Sequence, residues 1–261
     1  MNKIFFTTLI LCSILMVSCK KQETKEILTK TETHKHWSYE GETSPDHWLE
    51  IEKNSDCGGT RQSPINIIDI NTISVDSAST LKIHYSSKTV LNKVENNGHS
   101  VQFDFNLGDS ISHLNKIYHL KQIHFHEPSE HTINGVKYPI EIHLVHQSDD
   151  KKVTVMGILC VEGQESKLFE FFEGYLPIKQ GEHKDINKII NLADLFPVDK
   201  SFYSYNGSLT TPPCTENVNW IVYKQPIIIS LEEVLKLKSN MPINNYRNEQ
   251  AINGRKIYYN Y

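Results

Sequence analysis

The sequence predicts a mostly β domain with short peripheral helices. Runs of alternating or apolar residues, rich in β-branched side chains, recur between turn residues along the 261-residue chain. Helical patterns are fewer and shorter. From His36 onward the sequence has no second linker, internal repeat or low-complexity tract, and this favours a single domain.

The strand prediction rests on runs at residues 81–85, 100–105, 118–126, 141–146, 153–159 and 217–223. Their period of two or continuous apolar character is typical of strands. Short helices are predicted over residues 166–173, 185–192 and 230–237. The last has the clearest start, because Ser230 and Glu233 form the pattern of a capping box.

The composition disfavours one class of partner and suggests one kind of site. The formal net charge is -4 and no basic stripe is present, so nucleic acid is not an expected partner. The chain has 13 histidines, and several of them cluster between residues 113 and 146. This cluster is the first indication of a metal site.

The N-terminus has the features of a secretory signal. After Lys3, residues 4–17 form an almost unbroken apolar stretch that is too short to span a bilayer. Cys19 follows the small residue Ser18, which resembles a bacterial lipoprotein signal. We predict a signal peptide over 1–19 ending at a lipidated Cys19, a flexible tether over 20–33 and a folded domain over 34–261. An ordinary cleaved signal remains the alternative, and both readings place the domain outside the cytoplasm, in the periplasm or at the cell surface.

Three cysteines remain in the predicted domain. Cys160 lies in an apolar run and is predicted to be a buried thiol. Cys57 and Cys214 lie in loop-like sequence, and an oxidising compartment allows one disulfide, so we predict that these two pair.

One predicted strand carries two histidines on the same face. In Gln122-Ile-His124-Phe-His126 the residues two apart point to one side, while Ile123 and Phe125 enter the opposite layer. Two imidazoles one pleat apart can share a metal ion. The spacing alone leaves open that they are ordinary surface or core histidines.

A second predicted strand repeats this pattern, with Glu141, His143 and Val145 on one face. If the two strands pair, three imidazoles converge and leave a fourth tetrahedral position open, as in catalytic zinc sites. Gln122 and Glu141 can each accept a hydrogen bond from a ligand imidazole and fix its orientation.

Separate segments of the chain together resemble the α-class carbonic anhydrases over residues 36 to 261. They are His36-Trp-Ser-Tyr39-Glu-Gly41, Arg61-Gln-Ser-Pro-Ile-Asn-Ile67, Asn96-Asn-Gly-His99-Ser100, Gln122-Ile-His-Phe-His126, Pro128-Ser-Glu130-His-Thr-Ile-Asn-Gly135, Glu141-Ile-His-Leu-Val-His146 and Tyr205-Asn-Gly-Ser-Leu209-Thr-Thr-Pro-Pro-Cys214-Thr-Glu216. The resemblance implies a large, mainly antiparallel twisted sheet, with the zinc in a conical cavity.

The resemblance implies that His124, His126 and His143 bind one catalytic Zn²⁺. The implied reaction is the reversible hydration of carbon dioxide to bicarbonate and a proton. It proceeds by attack of zinc-bound hydroxide, since zinc lowers the pKa of its water to about 7 in this enzyme family.

Three further residues match catalytic positions of the family. Thr210 and Glu130 match the pair that orients the hydroxide, and His99 matches the proton shuttle. An imidazole suits a shuttle because it titrates near physiological pH. Without the resemblance, these residues would be interpreted as a turn residue, a solvated charge and a surface histidine.

The resemblance also implies the lining of the cavity. Carbon dioxide is uncharged, and the residues that match its pocket are Val145, Val155, Leu209, Thr211, Val218 and Trp220. Tyr39, Asn97 and Gln102 match polar residues that hold a water chain. Cys57 and Cys214 match the disulfide of secreted members.

Two other functions stay open at this stage. A non-catalytic binding protein would keep the fold and lose the activity, but every catalytic position is intact. A zinc esterase would use the same hydroxide on an activated carbonyl as a side activity. The predicted partners are carbon dioxide and bicarbonate, and a membrane only through the N-terminal lipid. The oligomeric state stays open between a monomer and a homodimer.

Overall fold

The structure is a computed structural model that describes residues 36–76, 81–242 and 244–261. The predicted signal peptide, lipidation site and tether lie outside the described residues. Within the described part, no helix is long and apolar enough to cross a membrane.

The described residues contain fifteen strands, three α-helices and four 3-10 turns. The strands β1 to β15 are Asn66–Ile67, Ile73–Val75, Leu81–His84, Thr89–Asn96, Val101–Phe105, Ser110–His113, Lys116–His126, Thr132–Ile133, Ile140–Gln147, Val153–Glu162, His183–Ile190, Phe202–Ser208, Glu216–Tyr223, Ile227–Ile229 and Tyr258–Asn260. The helices α1 to α3 are Trp48–Ile51, Lys167–Glu173 and Leu231–Lys238. The 3-10 turns are Gly41–Thr43, Pro45–His47, Asp69–Asn71 and Leu192–Leu195.

One large twisted sheet organises the described residues. Its main path runs β11-β4-β5-β7-β9-β10-β13-β12-β15-β2. Neighbours pair antiparallel except at β10 with β13, β10 with β14 and β15 with β2. The predicted fold class, mostly β and mainly antiparallel with short peripheral helices, is confirmed.

The helix predicted over residues 185–192 is wrong, because most of this segment belongs to the edge strand β11. Ile186, Ile189 and Ile190 have the spacing of one helix face. That spacing arises from a register shift between Asp185 and Lys188, where Asn187 has a φ of 123°. The irregularity adds a residue to the strand and disguises its period of two.

The other two helix predictions are confirmed. Helix α2 begins after Ser166 and buries Leu168, Phe169 and Phe172. Helix α3 begins after Ser230, whose hydroxyl accepts a hydrogen bond from the Glu233 N–H, while the Glu233 carboxylate accepts one from the Ser230 N–H. This reciprocal pair satisfies two N–H groups at the start of the helix.

Alternation along β7 and β9 separates the core from the histidines. Ile123 and Phe125 of β7, with Ile142 and Leu144 of β9, are fully buried in the main core. Burial of each such side chain contributes about 1.5–3 kcal/mol to folding. This packing fixes which face of each strand carries the polar residues.

A disulfide joins two distant loops, as predicted. Cys57 and Cys214 are bonded at a sequence separation of 157, while Cys160 is a free, buried thiol. The Asp56 N–H also donates to the Pro213 carbonyl at 2.8 Å. The bond therefore ties an N-terminal loop to the loop that follows Thr210 and Thr211.

Removing this disulfide should destabilise the fold. The Cys57→Ser/Cys214→Ser double variant is expected to lose about 2–5 kcal/mol of unfolding free energy, because a long covalent loop is opened. Urea unfolding of the variant measures the loss. Reduced wild-type protein should match the variant, and equal stability of the variant and the oxidised wild type would contradict the expectation.

Candidate metal centre and its cavity

Strands β7 and β9 lie side by side and bring three histidines together. His124 and His143 are directly opposite in the antiparallel register, and His126 is two residues further along β7. One ring nitrogen from each of the three histidines lies within 4.8 Å of the others. The adjacency of the two strands, on which the sequence argument depended, is thus present.

Two of the histidines are oriented by the side chains that the sequence suggested. The His124 Nδ1–H donates to Gln122 Oε1 at 2.8 Å, and the His143 Nε2–H donates to Glu141 Oε1 at 2.9 Å. These bonds fix the tautomers, so that His124 Nε2 and His143 Nδ1 keep free lone pairs.

The third histidine is oriented by a main-chain group that the sequence did not suggest. The His126 Nδ1–H donates to the Asn245 carbonyl at 2.5 Å. The Asn245 side chain holds this segment in place, since its amide accepts from the Glu127 N–H and donates to the Phe125 carbonyl. His126 Nε2 is therefore also left with a lone pair.

The donor set fits a zinc ion. His126 Nε2 is buried and has no hydrogen-bond partner among the described residues. Burial lowers the pKa of His126 to about 4, and it lowers the pKa values of His124 and His143 as well. All three imidazoles are therefore neutral at pH 7, and neutral histidine nitrogens in a set of three are the ligands of catalytic zinc sites.

A second cluster of possible ligands shares His143 but is already hydrogen-bonded. It comprises His131, Glu141 and His143. His131 Nδ1–H donates to Glu141 Oε1 at 2.7 Å, and His131 Nε2 lies 2.6 Å from the Tyr205 hydroxyl. Because both ring nitrogens of His131 are engaged, this cluster supports the first site and does not compete with it.

Glu141 is the anion of this supporting cluster. Its Oε2 accepts from the Glu130 and His131 N–H groups at 2.9 and 2.8 Å. Burial alone would raise the pKa of Glu141, but the charges and hydrogen bonds of His131 and His143 lower it overall. Gly157 makes room for this carboxylate, since a Cβ at that position would lie 2.8 Å from Glu141 Oε1.

Replacing Glu141 by glutamine should weaken zinc binding. All four groups around the carboxylate are donors, so an amide NH₂ would face another donor in a buried site. We expect a loss of about 10–100-fold in zinc affinity. Chelator competition measures it, with Glu162→Gln, at the exposed end of β10, as the control. Unchanged affinity in Glu141→Gln would contradict this role.

Glu130 lies where the free histidine nitrogens converge. Its Oε2 is 3.5 Å from His126 Nε2 and 4.0 Å from His143 Nδ1, and its Oε1 accepts from the Arg247 N–H at 2.9 Å. Burial raises the pKa of Glu130 to about 7. His143 and the Thr210 side chain lower this pKa, but the effect of burial is larger. Thr210 itself is buried beside it.

Most of the residues predicted to form an apolar pocket belong to one core cluster or pack against it. Val155, Val218 and Trp220 are buried in a second core, against which Val145 and Leu209 pack. Val155 pairs with Val145 on one side and with Trp220 on the other. The Trp220 ring centroid is 4.9 Å from that of His143, so the apolar wall reaches the candidate metal site.

The predicted polar residues surround a small cavity of about 120 Å³. It is lined by Trp37, Tyr39, Asn97, His99, Ser100, Gln102, Gln122, His124, His126 and Thr211. The Tyr39 hydroxyl is buried and has no hydrogen-bond partner among the described residues, and burial raises its pKa. The cavity joins two of the histidines to His99.

His99 is held at the rim of this cavity. Asn97 Oδ1 accepts from the N–H groups of His99 and Ser100, both at 2.9 Å. The His99 ring stacks on Trp37 at 3.6 Å, and its Nε2 lies 3.1 Å from His36 Nε2. Burial, and next the charge of His36, lower the pKa of His99 to about 4.

The match to known proteins agrees with this geometry. The family model described as eukaryotic-type carbonic anhydrase matches residues 43–261. The chain belongs to this family. A carbonic anhydrase of Klebsiella pneumoniae is 36% identical, over 85% of this chain and 90% of the relative. The predicted family and the predicted enzyme class, carbonic anhydrase, are confirmed.

Solved structures show the same fold. The α-carbonic anhydrase of Thermovibrio ammonificans, in complex with the inhibitor sulfanilamide, has a TM-score of 0.81 and 35% identity, covering 85% of this chain and 98% of that one. Dioscorin complexed with ascorbate has a TM-score of 0.80 and 34% identity, covering 86% and 98%. The carbonic anhydrase fold is thus shared with a protein that carries a different name.

Proposed function

We propose that this carbonic anhydrase holds one zinc ion on His124, His126 and His143 and interconverts carbon dioxide with bicarbonate and a proton. This proposal rests on the convergence of three free imidazole nitrogens. In each of these imidazoles, a hydrogen bond at the second ring nitrogen fixes the orientation of the ring. When bound there, zinc supplies a Lewis acid that makes hydroxide available near neutral pH.

Thr210 and Glu130 orient the nucleophile in this proposal. The Arg247 N–H holds Glu130 Oε1, which leaves Oε2 beside the ligand nitrogens. A Thr210 hydroxyl that donates to Glu130 has its own lone pairs left to accept a hydrogen bond. The Thr210 oxygen would accept a hydrogen bond from the attacking oxygen, and this would direct a lone pair of that oxygen at the substrate carbon.

The substrate binds against the apolar wall. Carbon dioxide carries no charge and gains little from polar partners, so a dry pocket of Val145, Val155 and Trp220 suits it. Leu209 and Val218 complete this wall, and Thr211, which lines the adjoining cavity, contacts the bicarbonate product in this proposal. The product proton leaves by the opposite, polar side, through His99.

Stopped-flow measurement of carbon dioxide hydration tests the proposal. The purified chain should accelerate hydration over the buffer, a zinc chelator should remove the acceleration, and added zinc should restore it. A chain that holds zinc and gives only the buffer rate would overturn the proposal.

A non-catalytic binding protein of the same fold is the second candidate, and the similarity to dioscorin favours it. It predicts no hydration above background and binding of a small molecule in the cavity. The complete set of zinc-binding and orienting residues favours the enzyme. Hydrolysis of an activated ester, if observed with hydration, would be a side activity of the same centre.

The proposed location is outside the cytoplasm. The Cys57–Cys214 bond is of the kind that persists in oxidising compartments. The lipid anchor at Cys19 stays part of the proposal. Mass spectrometry of the mature N-terminus tests it, and a chain that begins elsewhere without lipid would remove the anchor.

A further inference from the structure

We propose that His36 is a second proton-transfer residue, which takes the proton from His99 and releases it to solvent. This step rests on the proposed function, in which His99 exports the proton. It extends the route by one residue that lies outside the cavity.

The two imidazoles are in direct contact. His36 Nε2 and His99 Nε2 lie 3.1 Å apart, with ring centroids at 5.2 Å. Trp37 stacks on His99 with an interplanar angle of 14°, which holds the His99 ring in this position. His36 is exposed to solvent, whereas His99 is partly buried. The contact therefore joins the rim of the cavity to the solvent.

The surroundings of His99 explain why a second residue is useful. The rings that face it belong to His36, Trp37 and Tyr39, and among these His36 and Tyr39 can titrate. Its pKa of about 4 means that protonated His99 is populated by only about one part in 10³ at pH 7. A proton that reaches His99 cannot accumulate there and must move on.

The transfer conserves atoms and charge. A proton arrives at His99 Nδ1, the N–H bond at His99 Nε2 breaks, and a new N–H bond forms at His36 Nε2. The His36 imidazolium then loses its Nδ1 proton to a buffer base. One proton enters the pair and one leaves, and both rings regain their starting tautomers by proton exchange with water.

Substitution of His36 tests the step. In weak buffer, His36→Ala and His36→Phe should both lower kcat by about tenfold, less than the 10² or more typical of losing a general acid–base group, because water can still reach His99. The value of kcat/KM should stay unchanged, since proton export follows product formation. Added imidazole should restore kcat.

Two comparisons separate proton transfer from packing. His36→Phe keeps a ring against Trp37 but cannot carry a proton, so a purely structural role would leave kcat at the wild-type value. His47→Ala removes another imidazole near the N-terminus, which contacts only Glu50 in the ion pairs described, and should behave as wild type. Wild-type kcat for His36→Phe in weak buffer would overturn the proposal.

A second readout does not depend on activity. NMR titration of the zinc-loaded chain should follow the His99 ring in the wild type and in His36→Phe. His36→Phe should raise the pKa of His99, because the charge of His36 lowers it. An unchanged pKa of His99 in His36→Phe would overturn the proposal. Failure of the proposed function differs, since the wild-type chain itself would then give no zinc-dependent hydration.

Discussion

Replacing His126 by alanine is expected to abolish zinc binding and carbon dioxide hydration together. His126 Nε2 is buried and has no hydrogen-bond partner among the described residues, and it is one of only three converging imidazole nitrogens in the candidate site. Two remaining imidazoles bind zinc far less tightly than three. Elemental analysis should fall from about one zinc per chain to almost none, and the hydration rate should fall to that of the buffer.

His119→Ala provides the matched control. His119 lies on the same strand β7 but is half-exposed, and its Nε2 is 3.9 Å from Asp149, at the opposite end of the strand from the candidate site. This variant should keep its zinc and its activity. A His126→Ala variant that retains a full zinc equivalent would show that the metal, if any, binds elsewhere.

Replacing Thr210 by alanine is expected to lower kcat/KM for carbon dioxide by about 10²-fold, while the zinc content stays unchanged. In the proposed mechanism the Thr210 hydroxyl donates to Glu130 and does not bind the metal. Without the Thr210 hydroxyl, the nucleophile still forms but is no longer oriented toward the substrate carbon. The loss therefore belongs to orientation and not to metal binding.

Thr210→Ser distinguishes the hydroxyl from the bulk of the side chain. Serine keeps the donor and the acceptor, so most of the activity should return, whereas a packing role for the threonine methyl group would leave serine as poor as alanine. Stopped-flow hydration and elemental analysis on all three proteins decide between these outcomes. Loss of zinc from Thr210→Ala would contradict the assignment.

The period of two along the strands carries much of what could be predicted. Because side chains alternate across a strand, the positions of Ile123 and Phe125 already determine that His124 and His126 share the opposite face. The register between β7 and β9 could not be derived in the same way. It places His124 against His143, which lies 19 residues further along the chain, only because β7 and β9 pair in three dimensions.

The parts of the site that the sequence did not predict are mostly main-chain groups. Asn245 and Arg247 contribute a carbonyl and an N–H, and every residue type can offer these. No side-chain pattern therefore signals them. His131 and His36 did carry a signal, since both stand in segments that resemble the family, but their contacts with Glu141 and His99 depend on the fold.

Diffraction at the zinc absorption edge tests the central claim most directly. Crystals of the zinc-loaded chain should give one anomalous peak, bonded to His124 Nε2, His126 Nε2 and His143 Nδ1. These are the three nitrogens that the hydrogen bonds leave free. The absence of a peak at these nitrogens, or a peak bonded instead to His131 and Glu141, would contradict the account.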